Sequence, residues 1–201
     1  MSKKIVVELN RKSIQNAIKQ LKAIKKTIPN MTKDFLEGVA LWIIDRANFH
    51  LNNSDIGENV KIDIRNGWEY EFVNNGIKIT NSTQKAVFVE FGVGKVGEQQ
   101  PHPEASKEGY EYNVPSEYKY AGQYHDEFTW RFTVKSEQDI DLSDGTYETW
   151  KKKSGDLKII TQGSYGVFYA YNAIVDAQMD LQNPNGKIAE IWQETKEKYI
   201  K

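Results

Sequence analysis

Apolar residues recur at three- and four-residue spacing through most of the first fifty positions, which is the period of an amphipathic α-helix. Ser13 is a suitable cap for a first helix that runs to about Thr27, and Pro29 is expected to end it. A second helix is predicted to begin near Thr32 and to end near Leu51. Its apolar positions cover more than half of the helix circumference. We therefore expect burial from two sides, either as the central core element or partly against a neighbouring subunit.

Single-residue alternation of apolar and polar positions replaces this period after the second helix. The alternating stretches are 60–64, 68–72 and 77–79. Asn66-Gly67 separates the first two and Asn74-Asn75-Gly76 the last two, and both are favoured hairpin turns. The pattern predicts a small antiparallel β meander with one apolar face, covered by the two helices, and thus an α+β fold. A further short strand is predicted from Lys4 to Leu9.

Residues 98–160 are rich in Gly, Pro, Tyr and charged residues and lack a clear helical period. Aromatic residues spread through this stretch predict an ordered insertion rather than a linker, part of which would order only on assembly. One strand is predicted over 128–135, and 157–161 could pair with it. Two amphipathic helices, beginning at Ser164 and at Asn183-Pro184, are predicted to close a chain that forms a single domain of 201 residues.

Charge is nearly balanced over the whole chain, with 27 basic and 28 acidic residues and a net charge of −1. This balance does not imply a global attraction to nucleic acid or membrane. The first thirty residues nevertheless carry eight basic residues against one acidic residue, a local charge of +7. Four lysines of this region are candidates for contact with phosphate or with an acidic partner, although a solvated helix surface would show the same charge. They are Lys19, Lys22, Lys25 and Lys26.

Few patterns in the chain are typical of catalysis or of cofactor binding. The absence of cysteine excludes disulfides and thiolate metal sites. Residues 92–97 match the glycine pattern of dinucleotide-binding loops, but no parallel βαβ unit is predicted around them. The imidazoles are His50, His102 and His125, and none has a third ligand group at metal-binding spacing. We therefore expect no catalytic residue, no cofactor and no metal.

The start of the chain bears on the compartment in which the protein is made. Its first residues contain too few apolar positions for a signal peptide or a membrane span. We expect synthesis as a soluble protein inside a cell.

The segment Ala86-Val-Phe-Val-Glu-Phe-Gly92 is the most informative part of the sequence. It is apolar and aromatic apart from Glu90, and glycines and prolines follow it at once, so the element that it forms must end abruptly. An acid beside Phe88 and Phe91 has to reach a partner, because an unpaired buried charge is costly. One interpretation is structural, as an ion pair or as a backbone cap at the glycine turn. The other is a contact with another subunit.

Three short motifs and the order of the predicted elements indicate a family. Phe88-Val-Glu-Phe-Gly92 is the first motif and Gln100-Pro-His-Pro103 the second. The third comprises Thr161-Gln-Gly163 and Phe168-Tyr-Ala-Tyr-Asn-Ala173. Together they resemble the neck or tail-completion proteins of long-tailed bacteriophages, also labelled minor capsid or head-tail connector proteins. The long segment between the second and third motifs departs from that family, because shorter members lack it.

The resemblance implies a structural protein of the virion that is synthesised in the cytoplasm of the bacterial host. It implies a ring at the head-proximal end of the tail, which helps to join the tail to the capsid. The partners would be further copies of the chain and neighbouring tail and neck proteins, with weak, sequence-independent contact to passing DNA and none to membrane. Such a protein is not an enzyme and has no cofactor.

Aromatic anchors dominate the energetics of protein interfaces, which selects the candidates for subunit contact. The candidates are Trp42, Phe49, Phe88, Glu90, Phe91, Gly92, Tyr110, Tyr112 and Trp130. Two other classes of function stay open on the sequence. They are a sequence-independent DNA-binding module that uses the basic first helix, and a small hydrolase that uses Glu90 or His102. Within the assembly class, the chain could also belong to a defective prophage or a phage-tail-like particle.

Overall fold

The structure, a computed structural model, describes residues 11–74, 76–112, 124–125, 130–134, 147–151, 157–161 and 163–200. This part of the chain contains both helices and antiparallel strands, which confirms the predicted α+β class. The helices are α1 (Arg11–Asn52), α2 (Glu58–Asn66), α3 (Gln84–Phe91), α4 (Gly94–Gln99), α5 (Ala105–Glu108), α6 (Tyr169–Leu181) and α7 (Lys187–Tyr199). The strands are β1 (Trp68–Val73), β2 (Gly76–Asn81), β3 (Gly92–Val93), β4 (Tyr124–His125), β5 (Trp130–Val134), β6 (Tyr147–Lys151), β7 (Leu157–Thr161) and β8 (Gly163–Tyr165). The strand predicted from Lys4 to Leu9 lies outside the described residues.

The contacts of the chain group into two compact units. Of the described residues, the first unit holds those up to Arg46, Tyr70–Thr80 and those from Ala173 onward. The second unit holds Ala47–Glu69 and Asn81–Asn172. The organisation as a single domain stays a prediction.

One helix, α1, replaces the two helices predicted for the first fifty residues, and its 42 residues include Pro29. The expected break at Pro29 is therefore wrong. Proline removes one backbone donor and deprives the carbonyl of Lys25, four residues earlier, of its helical partner. Both residues are exposed, so water can hydrogen-bond that carbonyl. Packing further along the helix, where Met31 and Ala40 are buried, favours continuation through the proline.

The second half of α1 is buried less completely than its wide apolar arc predicts. Ala40, Ala47 and Leu51 are buried, whereas Leu41 and Phe49 are 51% and 48% exposed. The prediction that this helix is buried from two sides within the chain is therefore wrong at Leu41 and Phe49. Apolar surface remains available on this part of the helix.

Helix α2 occupies the stretch predicted to be the first strand of the meander, and that prediction is also wrong. The alternation over 60–64 is short enough to fit either element. In the helix Lys61 and Ile64, three residues apart, are the buried positions, while Ile62 is exposed. Asn66-Gly67 ends the helix instead of forming a hairpin, because the Gly67 N–H donates to the Ile64 carbonyl over 3.1 Å.

Burial of Lys61 is explained by the end of α1. The Lys61 ammonium donates to the carbonyl of Asn52 over 3.1 Å and to that of Ser54 over 2.5 Å. Carbonyls that follow the last helical turn lack intrahelical donors and carry the negative end of the helix dipole. Lys61 thus caps the C-terminal end of α1 with two hydrogen bonds.

We expect Lys61→Met to lower the free energy of unfolding by about 1–3 kcal/mol, because it keeps the apolar stem and removes two charge-assisted hydrogen bonds. Urea unfolding measures the change. Lys78→Met is the matched control, since Lys78 makes only an exposed ion pair with Glu71, and its effect should stay within about 0.5 kcal/mol. Equal effects of the two substitutions would contradict this role of Lys61.

Strands β1 and β2 form a two-stranded sheet, which confirms the second and third strands of the predicted meander. The Tyr70 hydroxyl donates to Glu37 of α1 over 2.5 Å, and the Lys33 ammonium lies 4.8 Å from the centroid of the Phe72 ring. Both aromatic rings stay more than a third exposed. The helix therefore covers the apolar face of the sheet only in part.

A four-stranded antiparallel sheet in the order β4-β5-β7-β6 lies within the predicted insertion. Strands β5 and β7 pair over their whole length, with Trp130 opposite Thr161 and Val134 opposite Leu157. The predicted pairing of 157–161 with the earlier strand is thus confirmed for the described residues. Other parts of the insertion, including 126–129 and 135–146, lie outside them.

The two ends of the insertion lie side by side. Strand β3 pairs antiparallel with β8, with Gly92 opposite Tyr165 and Val93 opposite Ser164. Residues that leave and re-enter the body of the second unit are therefore neighbours in space. Such a junction lets a long segment be inserted without disturbing the elements on either side.

The predicted starts of the last two helices are too early. Ser164 belongs to β8, and α6 begins at Tyr169. Helix α7 begins at Lys187 rather than at Asn183-Pro184. The helix is capped by Asp180 and not by the predicted Asn183. The carboxylate of Asp180 accepts the N–H of Lys187 over 3.0 Å and that of Ile188 over 2.7 Å.

Candidate functional site

The motif segment of the sequence forms helix α3 and its C-terminal end in the second unit. Ala86 and Val89 are buried on one side of the helix, and Glu90 in its last turn is only 7% exposed. The helix ends at Phe91 because Gly92 follows with a positive φ of 80°. The predicted abrupt end of the segment is confirmed, although a short strand and the short helix α4 then run through the glycines.

Glu90 finds its partners at the beginning of helix α6. One carboxylate oxygen, Oε2, accepts the N–H of Ala170 over 2.8 Å, and Oε1 accepts the N–H of Tyr171 over 2.8 Å. These donors belong to the first turn of α6, where backbone N–H groups lack intrahelical partners and the dipole favours negative charge. Glu90 therefore caps a helix that begins some eighty residues later in the sequence.

His102 gives the same carboxylate a third hydrogen bond. Its Nε2 lies 3.0 Å from Glu90 Oε1, and its Nδ1 lies 3.0 Å from the Glu104 backbone nitrogen. Because the Glu104 N–H is a donor, Nδ1 accepts, and the ring proton sits on Nε2 and points to Glu90. Both ring nitrogens are thus occupied by hydrogen bonds. Neither has a free lone pair for a metal or for a substrate proton.

Aromatic rings enclose this pair. The imidazole of His102 lies 4.2 Å from the Phe91 ring, 4.9 Å from Phe168 and 5.3 Å from Tyr171, measured between centroids. His102 is only 5% exposed. The packing excludes water, which strengthens the hydrogen bonds to Glu90.

Two glycines let the chain segments approach closely behind the pair. An added Cβ on Gly92 would lie 2.5 Å from the Gly166 backbone nitrogen and 2.6 Å from the Ser164 carbonyl oxygen. A Cβ on Gly166 would lie 2.5 Å from the carbonyl oxygen of Glu90. The Phe168 N–H donates to that same carbonyl over 3.2 Å. Backbone contact, rather than side-chain packing, fixes this crossing.

Tyr110 and Tyr112 contact Gly92, Phe91 and His102. The Tyr110 hydroxyl donates to the Gly92 carbonyl over 2.6 Å, and its ring stacks on Phe91 at 4.5 Å. The Tyr112 hydroxyl accepts the N–H of His102 over 2.7 Å. Burial raises the pKa of Tyr110, so its hydroxyl stays a neutral donor. We call Glu90, Gly92, His102 and the first turn of α6 the Glu90 cluster.

The remaining interface candidates lie elsewhere. Trp42 and Phe88 are half-buried, and Phe49 is about half exposed. Trp130 lies on β5, in the sheet of the insertion. The four candidate lysines of α1 are exposed. The structure therefore brings together Glu90, Phe91, Gly92, Tyr110 and Tyr112 of the predicted site residues, and the Glu90 cluster includes only two of these.

Chemically, the Glu90 cluster holds backbone elements together. The predicted structural role of Glu90 applies, but it caps helix α6 rather than the glycine turn, and its hydrogen bonds lie within the chain. Tyr169 is buried as well, and burial together with the charge of Glu90 raises the pKa of its hydroxyl, which donates to the Ala86 carbonyl over 3.3 Å. No serine or threonine hydroxyl is among the described contacts of Glu90 or His102.

Sequence reasoning missed three residues that the fold depends on, namely Lys61, Gly166 and Asp180. Only Gly166 carries a local signal, as a glycine between the two parts of the third motif. In the described part of the chain, no group of three or more His, Asp or Glu residues could hold a metal ion. Among the helices described, none combines the length and the apolar character needed to cross a lipid bilayer.

No family model matches the chain, and no curated protein or solved structure shows significant similarity to it.

Proposed function

We propose that the protein is a structural component of a bacteriophage tail, which forms a ring at the head-proximal end, completes the tail and helps to join it to the capsid. The observation that supports assembly is the exposed apolar surface of α1. Ile18, Leu21, Ile28 and Leu41 are between 45% and 56% exposed. Apolar area of this extent is rarely left to water in a monomeric protein, and it favours contact with other protein surfaces. The place of assembly is supported by the resemblance of the sequence motifs.

The Glu90 cluster supports a structural rather than a catalytic role. Its carboxylate and imidazole, and the hydroxyls of Tyr110 and Tyr112 beside it, are engaged in hydrogen bonds within the chain. General acid–base or nucleophilic catalysis requires groups that can reach a substrate. In the proposed role the motif residues stabilise the subunit, catalyse no reaction and need no cofactor.

Deletion of the gene from the phage or prophage that carries it tests the proposal. We expect DNA-filled heads and separate tails in electron micrographs, with loss of infectious particles and recovery when the gene is supplied in trans. Infectious particles formed without the gene would contradict the proposal. Tails that never acquire heads, even with the gene intact, would assign the chain to a tail-like particle instead.

A sequence-independent DNA-binding module is the second candidate, because Lys19, Lys22, Lys25 and Lys26 are all exposed on one helix. Binding of this kind weakens steeply as salt rises, since it depends on counterion release. Fluorescence anisotropy with unrelated duplexes at several salt concentrations separates the candidates. Tight, salt-sensitive binding to every duplex supports the DNA-binding module, and its absence supports assembly through protein contacts.

A further inference from the structure

The first unit contains an apolar groove between the second half of α1 and helix α7, with a volume of about 410 Å³. The two helices approach closely there, since an added Cβ on Gly38 would lie 2.7 Å from Ile191 Cγ2. Leu41, about half exposed, and Ile191, which is buried, supply the apolar lining. If nothing covered it, this groove would hold on the order of a dozen water molecules next to apolar side chains.

Acidic side chains dominate the rim of the groove. Asp34, Glu37 and Glu194 line it against a single cation, Lys198. Lys198 pairs with Asp34 over 2.5 Å, and the Tyr199 hydroxyl donates to the same carboxylate over 2.8 Å. These hydrogen bonds, that from Lys198 first, hold the pKa of Asp34 below its usual value and keep it ionised. After this pairing, Glu37 and Glu194 leave the rim with negative charge.

The first half of α1 carries a surface of the opposite character. Ile18, Leu21 and Ile28 are all about half exposed and lie at three- and seven-residue spacing, which places them on one face of the helix. Lys22 and Lys25 lie beside this apolar stripe and are exposed. The stripe therefore combines apolar side chains with positive charge, as the groove combines apolar side chains with negative charge.

The stripe cannot reach the groove of its own chain. Both lie on the same continuous helix, and Ile18 is about 24 Å from Asp34 along the helix axis at 1.5 Å per residue. A helix without a break cannot fold back on itself. Among the surfaces that the described residues form, the groove that matches the stripe in charge is therefore within its reach on another copy and not on its own chain.

We propose that the stripe of one copy docks into the groove of the next, so that the subunits associate head to tail. The inference rests on the proposed ring assembly and names the contact that builds it. Stripe and groove are different surfaces, so the contact is heterologous. A pair of copies still has one free stripe and one free groove. A chain of such contacts closes into a ring when the rotation between copies allows it.

Charge reversal on the full-length protein tests the contact. The stripe variant carries Lys22→Glu with Lys25→Glu, and the groove variant carries Glu37→Lys with Glu194→Lys. In sedimentation velocity at low salt, we expect the wild-type protein to associate. For each variant alone we expect the dissociation constant to rise by at least about tenfold, because like charges then face each other. An equimolar mixture of the two variants should associate again, since the reversed stripe fits the reversed groove.

Lys12→Glu with Lys78→Glu is the matched control, because it changes the net charge equally on exposed positions outside the stripe and the groove. Circular dichroism and urea unfolding establish that each variant is folded. A wild-type protein that stays monomeric at millimolar concentration would overturn the contact. Equal loss of association in the stripe variant and the control would overturn it too, as would failure of the mixture to associate.

The two proposals can fail separately. Charge-reversal results as expected, together with normal particles from a phage that lacks the gene, would refute the function in the tail and leave the contact standing. Normal tail completion by a phage that carries the stripe variant would refute the contact and leave the function standing.

Discussion

Glu90→Ala is expected to lower the free energy of unfolding by about 3–5 kcal/mol, a large share of the stability of a typical domain. The substitution removes the acceptor of three hydrogen bonds. It leaves the part-buried N–H groups of Ala170 and Tyr171 and the buried imidazole of His102 without that acceptor. It also removes the negative charge at the beginning of α6, which interacts favourably with the helix dipole. Urea unfolding followed by circular dichroism gives the change in midpoint and slope.

Glu90→Gln and Glu98→Ala separate the causes. Glutamine keeps the size and one acceptor oxygen, but it directs an N–H group towards a donor, so we expect an intermediate loss of about 1–3 kcal/mol. Glu98 is exposed on α4, and its replacement by alanine should change stability by no more than about 0.5 kcal/mol. An effect of Glu90→Ala as small as that of Glu98→Ala would show that the cap does not stabilise the fold.

Gly92→Ala is the second substitution with a large expected effect, a loss of about 3 kcal/mol or more. Alanine at φ 80° is strained, and its Cβ would overlap the backbone of Gly166 and Ser164 at 2.5 and 2.6 Å. Both neighbours are backbone atoms, Ser164 within the paired strand β8 and Gly166 directly after it, so neither can move aside cheaply. The thermal midpoint and the urea midpoint should both fall.

Gly109→Ala is the matched control for this substitution. Gly109 also has a positive φ, of 65°, but an added Cβ there would meet nothing within 4 Å. We expect only the conformational cost of about 1–2 kcal/mol. The difference between the two variants measures the steric part at Gly92, and equal losses would refute the close crossing of β3 and β8.

Helix α2 illustrates why part of the fold could not be predicted. Alternation over five residues fits a strand as well as about one and a half turns of helix, because the two periods diverge only over longer stretches. The choice depends on Lys61, a polar residue that alternation assigns to solvent. Carbonyls at the end of α1 accept its ammonium and bury it, and that partner is fixed only by the tertiary structure.

Pro29 shows that a strong local signal can also give a wrong prediction. The residue is a strong local signal for a helix end, but its cost is about 3 kcal/mol and can be offset. Exposure of the neighbouring carbonyl to water and burial of residues further along the helix favour continuation. As a result, stripe and groove lie on one uninterrupted helix, which the predicted pair of helices would not require.

The sequence by itself determined the α+β class, the strand at 157–161, the end of α3 at Gly92 and the need of Glu90 for a partner. These follow from periodicity, glycine conformation and the cost of a buried charge, all of which act locally. Only the tertiary structure decided which partners Glu90, Lys61 and Asp180 have. The helix that Glu90 caps begins about eighty residues later, and the partners of Lys61 and Asp180 lie at or beyond the end of a neighbouring helix. Hydrogen-bond partners of buried polar groups depend on how elements pack, and local patterns carry no record of that packing.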